Sequence, residues 1–298
     1  MKIPDFFIVG APKCGTTSMN DYLHSHPDIF MAPKEIHYFG KDLGIIQPDL
    51  SQNEYLDFVK NGQDCKLRGE ASAWYLYSGN AAKEIYNFNP EAKIIIMLRN
   101  PVDMIRSLHR QFVFDLDEDV TEFEEAILLE ENRKKGKCLP NSKNFKHLPS
   151  YIDSATYAPR IRNYMHVFGK DAIHFILFDE FIHNTEDVFK NTLEFLGIDT
   201  SFKLIFSVKN PGRELKSLRL HRTIDRPTDI SRKVIRTILP SKKVREHVAA
   251  YLYRKNIRYT TTPPIAETLK KSLKELFIKD ITETEKLTGF NLHNWLNS

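Results

Sequence analysis

The fold is decided by the stretch Phe6-Phe7-Ile8-Val9-Gly10-Ala11-Pro12-Lys13-Cys14-Gly15-Thr16-Thr17-Ser18, close to the N-terminus. Its four leading apolar residues predict a buried parallel strand. A tight loop bounded by glycines follows, and helical spacing begins at Thr17. A strand, a glycine loop and a helix in this order predict an α/β fold whose loop binds an anion through backbone N–H groups and the helix N-terminus.

A second strand followed by a helix lies further along the chain. Lys93–Leu98 is the clearest buried strand, and Arg99 follows it directly. Asn100-Pro101 predicts a capped helix start, and that helix should run to about Phe114. Ligands of open parallel sheets bind beyond the carboxyl ends of the strands, so Arg99 is expected to bind an anion on the same rim as the first loop. Ser107 lies about two helical turns further on and can reach the same group.

The rest of the chain alternates strands with helices, apart from the loop-rich residues 26–65, where only Gln52–Asn61 suggests a helix. Further strands are expected at Lys66–Gly69 and Ala172–Phe178, and helices at Gly79–Asn87, Thr121–Lys135, Ser154–Phe168 and Asn184–Leu196. This order predicts an α/β, three-layer, P-loop-like fold with a central, mostly parallel sheet flanked by helices. Residues 1–298 are expected to form a single domain whose C-terminal part, from about residue 207, is helical.

The composition narrows the function class. The chain has 298 residues, 41% of them hydrophobic, and a net charge of +4, which is milder than a dedicated nucleic-acid binder carries. Its three cysteines form no CxxC pair, which argues against a disulfide framework or a zinc site and favours a reducing, cytoplasmic setting. No N-terminal apolar run is long enough for a signal peptide or a membrane span, so neither is expected.

The side chains of the first loop suit phosphate. Lys13 supplies a mobile positive charge, and Thr16, Thr17 and Ser18 supply hydroxyl donors. A Walker P-loop has lysine directly after its second glycine, where this chain has Thr16, and no acid suited to hold magnesium follows a later strand. The loop therefore predicts phosphate binding without a metal, unless it is only a structural turn with a surface lysine.

A carboxylate is expected on the same rim. Glu70 follows the Lys66–Gly69 strand, and an acid beside two anion sites suggests a general base, with a salt bridge as the alternative. Lys34 and His37 are candidates for acceptor contacts, although a lone histidine is about as often simply packed.

Two motifs resemble those of one enzyme family. Pro12–Ser18 resembles the 5'-phosphosulfate loop of PAPS-dependent sulfotransferases, where PAPS is 3'-phosphoadenylyl sulfate. Arg99-Asn100-Pro101 through Ser107 resembles their 3'-phosphate motif. Pro33–Phe39 and Gly69–Ser72 are similar to the bacterial and heparan-sulfate-type branch of that family.

The resemblance implies a sulfuryl transfer from PAPS to a hydroxyl or amine of a glycan, lipid or small metabolite, with no metal. Arg99 and Ser107 would hold the 3'-phosphate, Lys13 would stabilise the departing PAP, and Glu70 would act as general base. The 5'-phosphosulfate would be bound by Lys13, Cys14, Gly15, Thr16, Thr17 and Ser18. The basic segment Lys209–Arg222 is a candidate lid in which Arg213 and Arg219 contact the cofactor; a solvated basic surface is the alternative.

Other functions stay open at this point. A P-loop-type small-molecule kinase would need the lysine that Thr16 replaces. A non-enzymatic anion or nucleic-acid binding module would use the basic C-terminal half but leaves Glu70 unexplained. The basic stretch Lys134–Lys146 and aromatic residues such as Trp74 and Phe112 could bind the acceptor, or be ordinary surface and core. The sequence does not indicate the oligomeric state.

Overall fold

A computed structural model describes residues 2–206, 213–259 and 265–297. Its centre is a five-stranded sheet in the order β2-β3-β1-β4-β5, and every neighbouring pair in it is parallel. The strands are β1 (Phe6–Gly10), β2 (Ile29–Met31), β3 (Leu67–Ala71), β4 (Lys93–Leu98) and β5 (Ile173–Leu177). The predicted α/β fold with a central, mostly parallel sheet is confirmed.

Helices surround this sheet and make up most of the C-terminal part. They are α1 (Thr16–His24), α2 (Gln52–Asp57), α3 (Ala81–Phe88), α4 (Pro101–Phe114), α5 (Phe123–Leu128), α6 (Glu130–Lys134), α7 (Tyr151–Ser154), α8 (Ala158–Phe168), α9 (Phe178–His183), α10 (Thr185–Leu196), α11 (Leu218–Asp225), α12 (Asp229–Ile238), α13 (Lys242–Asn256), α14 (Glu267–Thr288) and α15 (His293–Asn297). Short 3-10 turns occupy Lys41–Leu43, Lys60–Gly62 and Tyr75–Tyr77. A small antiparallel sheet pairs β6 (Arg213–Leu215) with β7 (Ile257–Tyr259).

The core lies around the two middle strands of the large sheet. The side chains of Phe6–Val9 in β1 and of residues 94–98 in β4 are fully buried. Strands buried on both faces need helices on both sides, which explains why their sequences are continuous apolar runs with no alternation. The arrangement of helices on both faces of the sheet therefore follows from the apolar sequences of β1 and β4.

Several boundaries differ from the sequence predictions. Strand β2 is only three residues long, too short to show a period, and was not predicted. The expected helix over Thr121–Lys135 is divided at Leu129 into α5 and α6, and α8 begins at Ala158, where Pro159 suits a first helical turn. The C-terminal part also contains β6 and β7 in addition to helices.

One glycine fixes how the first loop leaves the sheet. Gly10 has φ +147°, and a Cβ there would lie 2.6 Å from the Ala73 carbonyl oxygen and 2.8 Å from the Leu76 Cβ. Only glycine tolerates this conformation and this close approach. The loop after β1 is thereby packed against the chain that follows β3, which brings two strand ends to one place.

Candidate active site

A cleft of about 810 Å³ opens beyond the carboxyl ends of the parallel strands. It brings together most of the residues that the sequence predicted for the site. These are Lys13, Gly15, Thr16, Thr17, Ser18, Lys34, His37, Arg99 and Ser107.

The loop between β1 and α1 forms one wall of this cleft. Lys13 and Gly15 both have positive φ, 62° and 89°, and the turn they make leads directly into α1 at Thr16. The first N–H groups of a helix have no acceptor within the helix, so the first turn of α1 offers a set of donors to an anion. The Lys13 ammonium donates a hydrogen bond to Gln111 Oε1 on α4, at 3.1 Å.

Arg99 is held in position at the end of β4. Its Nη1 donates to the Lys13 carbonyl oxygen at 3.3 Å, and its guanidinium carbon lies 4.5 Å from the centroid of the Phe178 ring. The Tyr157 hydroxyl donates to the Arg99 carbonyl oxygen at 3.0 Å. A planar guanidinium fixed in this way suits bidentate binding of a phosphate. Ser107 lines the same cleft from α4.

The loop after β2 brings a second set of charges to the cleft. Lys34 Nζ donates to Thr17 Oγ1 at 2.7 Å, so this loop directly contacts the start of α1. Glu35 Oε2 lies 2.9 Å from His37 Nε2 and accepts a hydrogen bond from the Ala73 N–H at 3.1 Å. Glu35 and His37 have φ values of 58° and 51°, and non-glycine residues in this region are typical of functional sites.

Glu35 is an accessible, ionised carboxylate. Its side chain is 39% exposed and lines the cleft. Burial acts to raise its pKa, but the His37 imidazole, 2.9 Å away, and the charge of Lys34 outweigh that effect and hold the pKa of Glu35 below its usual value. The carboxylate is therefore ionised at neutral pH.

The position expected for Glu70 is corrected by the structure. Strand β3 continues to Ala71, two residues beyond the predicted end, which keeps Glu70 inside the sheet and fully buried, away from the residues that line the cleft. Its carboxylate accepts hydrogen bonds from Tyr55 (2.5 Å), Ser72 (2.7 Å) and Tyr75 (2.8 Å). Burial raises the pKa of Glu70, and these hydroxyl bonds offset the rise only in part.

Two other predicted contacts are not brought into the cleft. The Cys14 side chain is buried in the core, where burial raises the pKa of its thiol to about 12, and its Sγ donates to the Pro12 carbonyl oxygen. Arg219 is exposed on α11 and does not line the cleft. The Arg213 side chain and part of the Lys209–Arg222 segment lie outside the described residues.

Comparison with known proteins identifies the family that carries this arrangement. Residues 3–223 match the family described as "Sulfotransferase domain". The chain belongs to the sulfotransferase family. A crystal structure of a sulfotransferase from Alicyclobacillus acidocaldarius is 27% identical and superposes with a TM-score of 0.71 over 99% of both chains.

Two curated relatives are longer proteins than this chain. Carbohydrate sulfotransferase 15 of Mus musculus is 28% identical, over 66% of this chain and 44% of the relative. Heparan sulfate glucosamine 3-O-sulfotransferase 6 of Mus musculus is 28% identical over 34% of this chain and 28% of the relative. The chain thus spans less than half the length of these relatives. Within the part of it that the structure describes, no helix is both long and apolar enough to cross a membrane.

A further part of the cleft lining is apolar and aromatic. The rings of Trp74 and Phe112 are stacked with centroids 6.0 Å apart, and Phe145 meets both edge-on. Ile46 adds an aliphatic side chain that is 51% exposed. This wall continues from the Glu35 loop, because the Ala73 N–H that binds Glu35 directly precedes Trp74.

Sequence reasoning missed Glu35 and Gln111. Glu35 stands between Lys34 and His37, both of which were predicted, and a carboxylate flanked by two potential cations was a signal in the sequence. Gln111 follows Ser107 by four residues on α4, the spacing that puts two side chains on one helix face. The contact between Gln111 and Lys13 depends on the path of the first loop, which spacing alone does not give.

Proposed function

We propose that this protein transfers a sulfuryl group from PAPS to a hydroxyl or amine acceptor, with Glu35 instead of Glu70 as the general base. The observation that carries the proposal is the hydrogen bond between Lys34 and Thr17. It joins the loop that bears the base to the first turn of α1, which offers donors to an anion. An in-line group transfer requires a base and an anion-binding site that are held close to each other.

The donors that line the cleft support PAPS as the cofactor. The first turn of α1, with Thr16, Thr17 and Ser18, would bind the 5'-phosphosulfate. Arg99 and Ser107, further along the same cleft, would bind the 3'-phosphate. PAPS, when bound, supplies the sulfuryl group and leaves as PAP.

The remaining roles fall to three side chains. Glu35 would take the proton from the attacking hydroxyl or amine, and its lowered pKa keeps it ionised at neutral pH. Lys13 would offset negative charge on the leaving group. Gln111 holds the Lys13 ammonium at 3.1 Å and is a positioning residue for it.

The acceptor would lie along the aromatic wall formed by Trp74, Phe112 and Phe145, which line the same cleft as Glu35. Such rings pack against the apolar face of a sugar or against an aromatic body. A glycan and a small metabolite both satisfy this chemistry, and two of the curated relatives are named for carbohydrate acceptors. A cytoplasmic location stays a prediction, which rests on three free cysteines and is checked by cell fractionation.

Calorimetric titration tests the cofactor assignment. The purified protein is titrated with PAP and, separately, with ATP plus magnesium. We expect PAP to bind without metal and Arg99→Ala to weaken that binding by about 10- to 100-fold, because a charge-assisted hydrogen-bond pair to phosphate is lost.

Arg162→Ala is the matched control, since Arg162 is exposed and forms an ion pair with Glu283 away from the cleft. It should bind PAP like the wild type. Binding of ATP with magnesium and indifference to PAP would reject the proposal and favour the kinase. Equal losses in both arginine variants would also contradict it.

A further inference from the structure

The net positive charge of the chain comes from one helical segment. Residues 229–256, which contain α12 and α13 and are called here the basic helix pair, include eight lysines and arginines but only two acidic residues, Asp229 and Glu246. The segment therefore carries a net charge of +6, whereas the whole chain carries +4. The remainder of the protein is net negative, so the charge belongs to this surface and not to the molecule in general.

Helix α12 is amphipathic, and its apolar side chains are exposed. Val234 and Ile238 are four residues apart on one face and are 50% and 70% exposed. Arg232, Lys233 and Arg236 fall on the opposite side at helical spacing. None of the described side chains of α12 is buried, so its apolar face is not part of the protein core.

Helix α13 repeats this pattern with one face anchored. Val244, Val248 and Tyr251 follow the spacing of a single helical face and are 45%, 38% and 54% exposed. On the other side of the helix, the Tyr253 ring packs against the rings of His221 and Phe114, with centroid distances of 5.3 Å and 6.2 Å. The inner side of α13 thus rests on the protein, and its outer side presents an apolar stripe to solvent.

The basic helix pair is fastened near the acceptor end of the cleft. Arg226, three residues before α12, donates hydrogen bonds to the carbonyl oxygens of Leu116 (2.7 Å) and Asn141 (2.8 Å). Leu116 lies between Asp115 and Asp117, which both line the cleft. The N-terminal end of the basic helix pair is therefore attached next to residues that line the cleft.

We infer that the basic helix pair docks on an anionic lipid surface, with its apolar side chains in the headgroup boundary and its lysines and arginines against lipid phosphates. A surface that is both apolar and strongly cationic matches this partner in both properties. A second copy of the chain fits less well, because two surfaces of +6 repel each other. An anionic polymer would satisfy the cations but leave the apolar stripes in water.

Vesicle flotation tests this inference with the full chain and does not depend on the reaction. Vesicles with about one third phosphatidylglycerol in phosphatidylcholine are compared with pure phosphatidylcholine. We expect binding to the anionic vesicles alone, and weaker binding when salt is raised from about 0.1 to 0.5 M. Lys233→Glu/Arg236→Glu/Lys243→Glu should reduce the partition by roughly a hundredfold or more, because each basic residue contributes about fivefold.

Two further variants separate lipid docking from other contacts. Ile238→Ser/Val248→Ser removes apolar groups that are already exposed and should also lower vesicle binding, by about tenfold or more. Lys83→Glu/Lys190→Glu/Lys279→Glu makes the same charge change at exposed positions outside the helix pair and should bind vesicles more strongly than the triple variant within it.

Several results would overturn the inference. They are failure of the wild type to bind anionic vesicles, equal effects of the two triple variants, and vesicle binding that the apolar double variant leaves intact. In the last case, comparable binding to a heparin oligosaccharide or to duplex DNA would point to a purely electrostatic partner. Dissociation of an oligomer by Ile238→Ser/Val248→Ser, seen by light scattering, would instead assign the stripes to self-association.

Discussion

Two glutamates on adjacent segments of the site have opposite surroundings. Glu35 stands on the loop after β2, is 39% exposed, and has a pKa held down by His37 and Lys34 against the effect of burial. Glu70 stands inside β3, is fully buried, and has a pKa that burial raises. A carboxylate inside the sheet thus supports the site, whereas one on the loop beyond the sheet can meet a substrate.

The two residues are nevertheless linked. Glu70 accepts a hydrogen bond from Ser72, and Ser72 Oγ accepts one from the His37 N–H at 3.1 Å. His37 in turn contacts Glu35 at 2.9 Å. The buried glutamate thus helps to hold the backbone of the loop whose own glutamate faces the cleft.

Turnover should separate the two residues most strongly. Glu35→Gln keeps the size of the side chain but removes the base, so we expect kcat to fall by about 100- to 10,000-fold while PAP affinity remains close to that of the wild type. Glu70→Gln should retain most of the activity of each folded molecule. The measurement is acceptor-dependent release of PAP from PAPS, with calorimetric PAP binding as the check on folding.

The reverse pattern of activity losses would contradict the assignment of Glu35 as the base. If folded Glu70→Gln lost turnover as severely as expected for Glu35→Gln, and Glu35→Gln did not, the base would be the buried residue after all. Each variant serves as the isosteric control for the other, since both replace a glutamate with an amide in the same connected network.

The free energy of unfolding should be affected more by Glu70→Gln than by Glu35→Gln, and this effect should be smaller than the effect on turnover. The Glu70 carboxylate accepts bonds from three hydroxyls. An amide has a single acceptor oxygen, and its NH2 group would face a hydroxyl donor. We expect Glu70→Gln to lower the free energy of unfolding by about 1–3 kcal/mol.

Glu35→Gln should change the free energy of unfolding by only about 0.5 kcal/mol, since the side chain is partly exposed. Urea denaturation of both variants measures the difference. A larger loss in Glu35→Gln than in Glu70→Gln would show that the loop, and not the strand, depends on its carboxylate for folding.

The same contrast explains what the sequence could and could not predict. Local signals sufficed for the strand, loop and helix at Phe6–Ser18 and for the capped start of α4, where Asn100 Oδ1 accepts from the Val102 N–H at 3.0 Å. They also placed Arg99 at the carboxyl end of β4, because strand ends meet at one edge of a parallel sheet.

Local signals failed where a position depends on distant contacts. The end of β3 was predicted two residues early, and that error alone moved Glu70 from the core to the rim. Glu35 reaches the cleft because its loop turns through positive φ and its N–H bonds to the Ala71 carbonyl oxygen at 2.8 Å. Neither feature leaves a periodic trace in the sequence.

The smallest expected effect is in the pH dependence of the free energy of unfolding. The two glutamates should change it in opposite directions. The folded-state pKa of Glu70 is raised, so between the usual carboxyl pKa and that raised value the folded protein binds more protons than the unfolded chain. The free energy of unfolding contributed by Glu70 therefore falls as pH rises through this window. The folded-state pKa of Glu35 is lowered, so its contribution is present above the usual carboxyl pKa and is lost as pH falls through the folded value. Urea denaturation of wild type and both glutamine variants, measured from about pH 3.5 to 7, gives the change of the free energy of unfolding with pH. The stability advantage of wild type over Glu70→Gln should shrink with rising pH. The stability advantage of wild type over Glu35→Gln should grow. Slopes of the same sign would mean that the two carboxylates do not differ in environment as their positions on the strand and on the loop require.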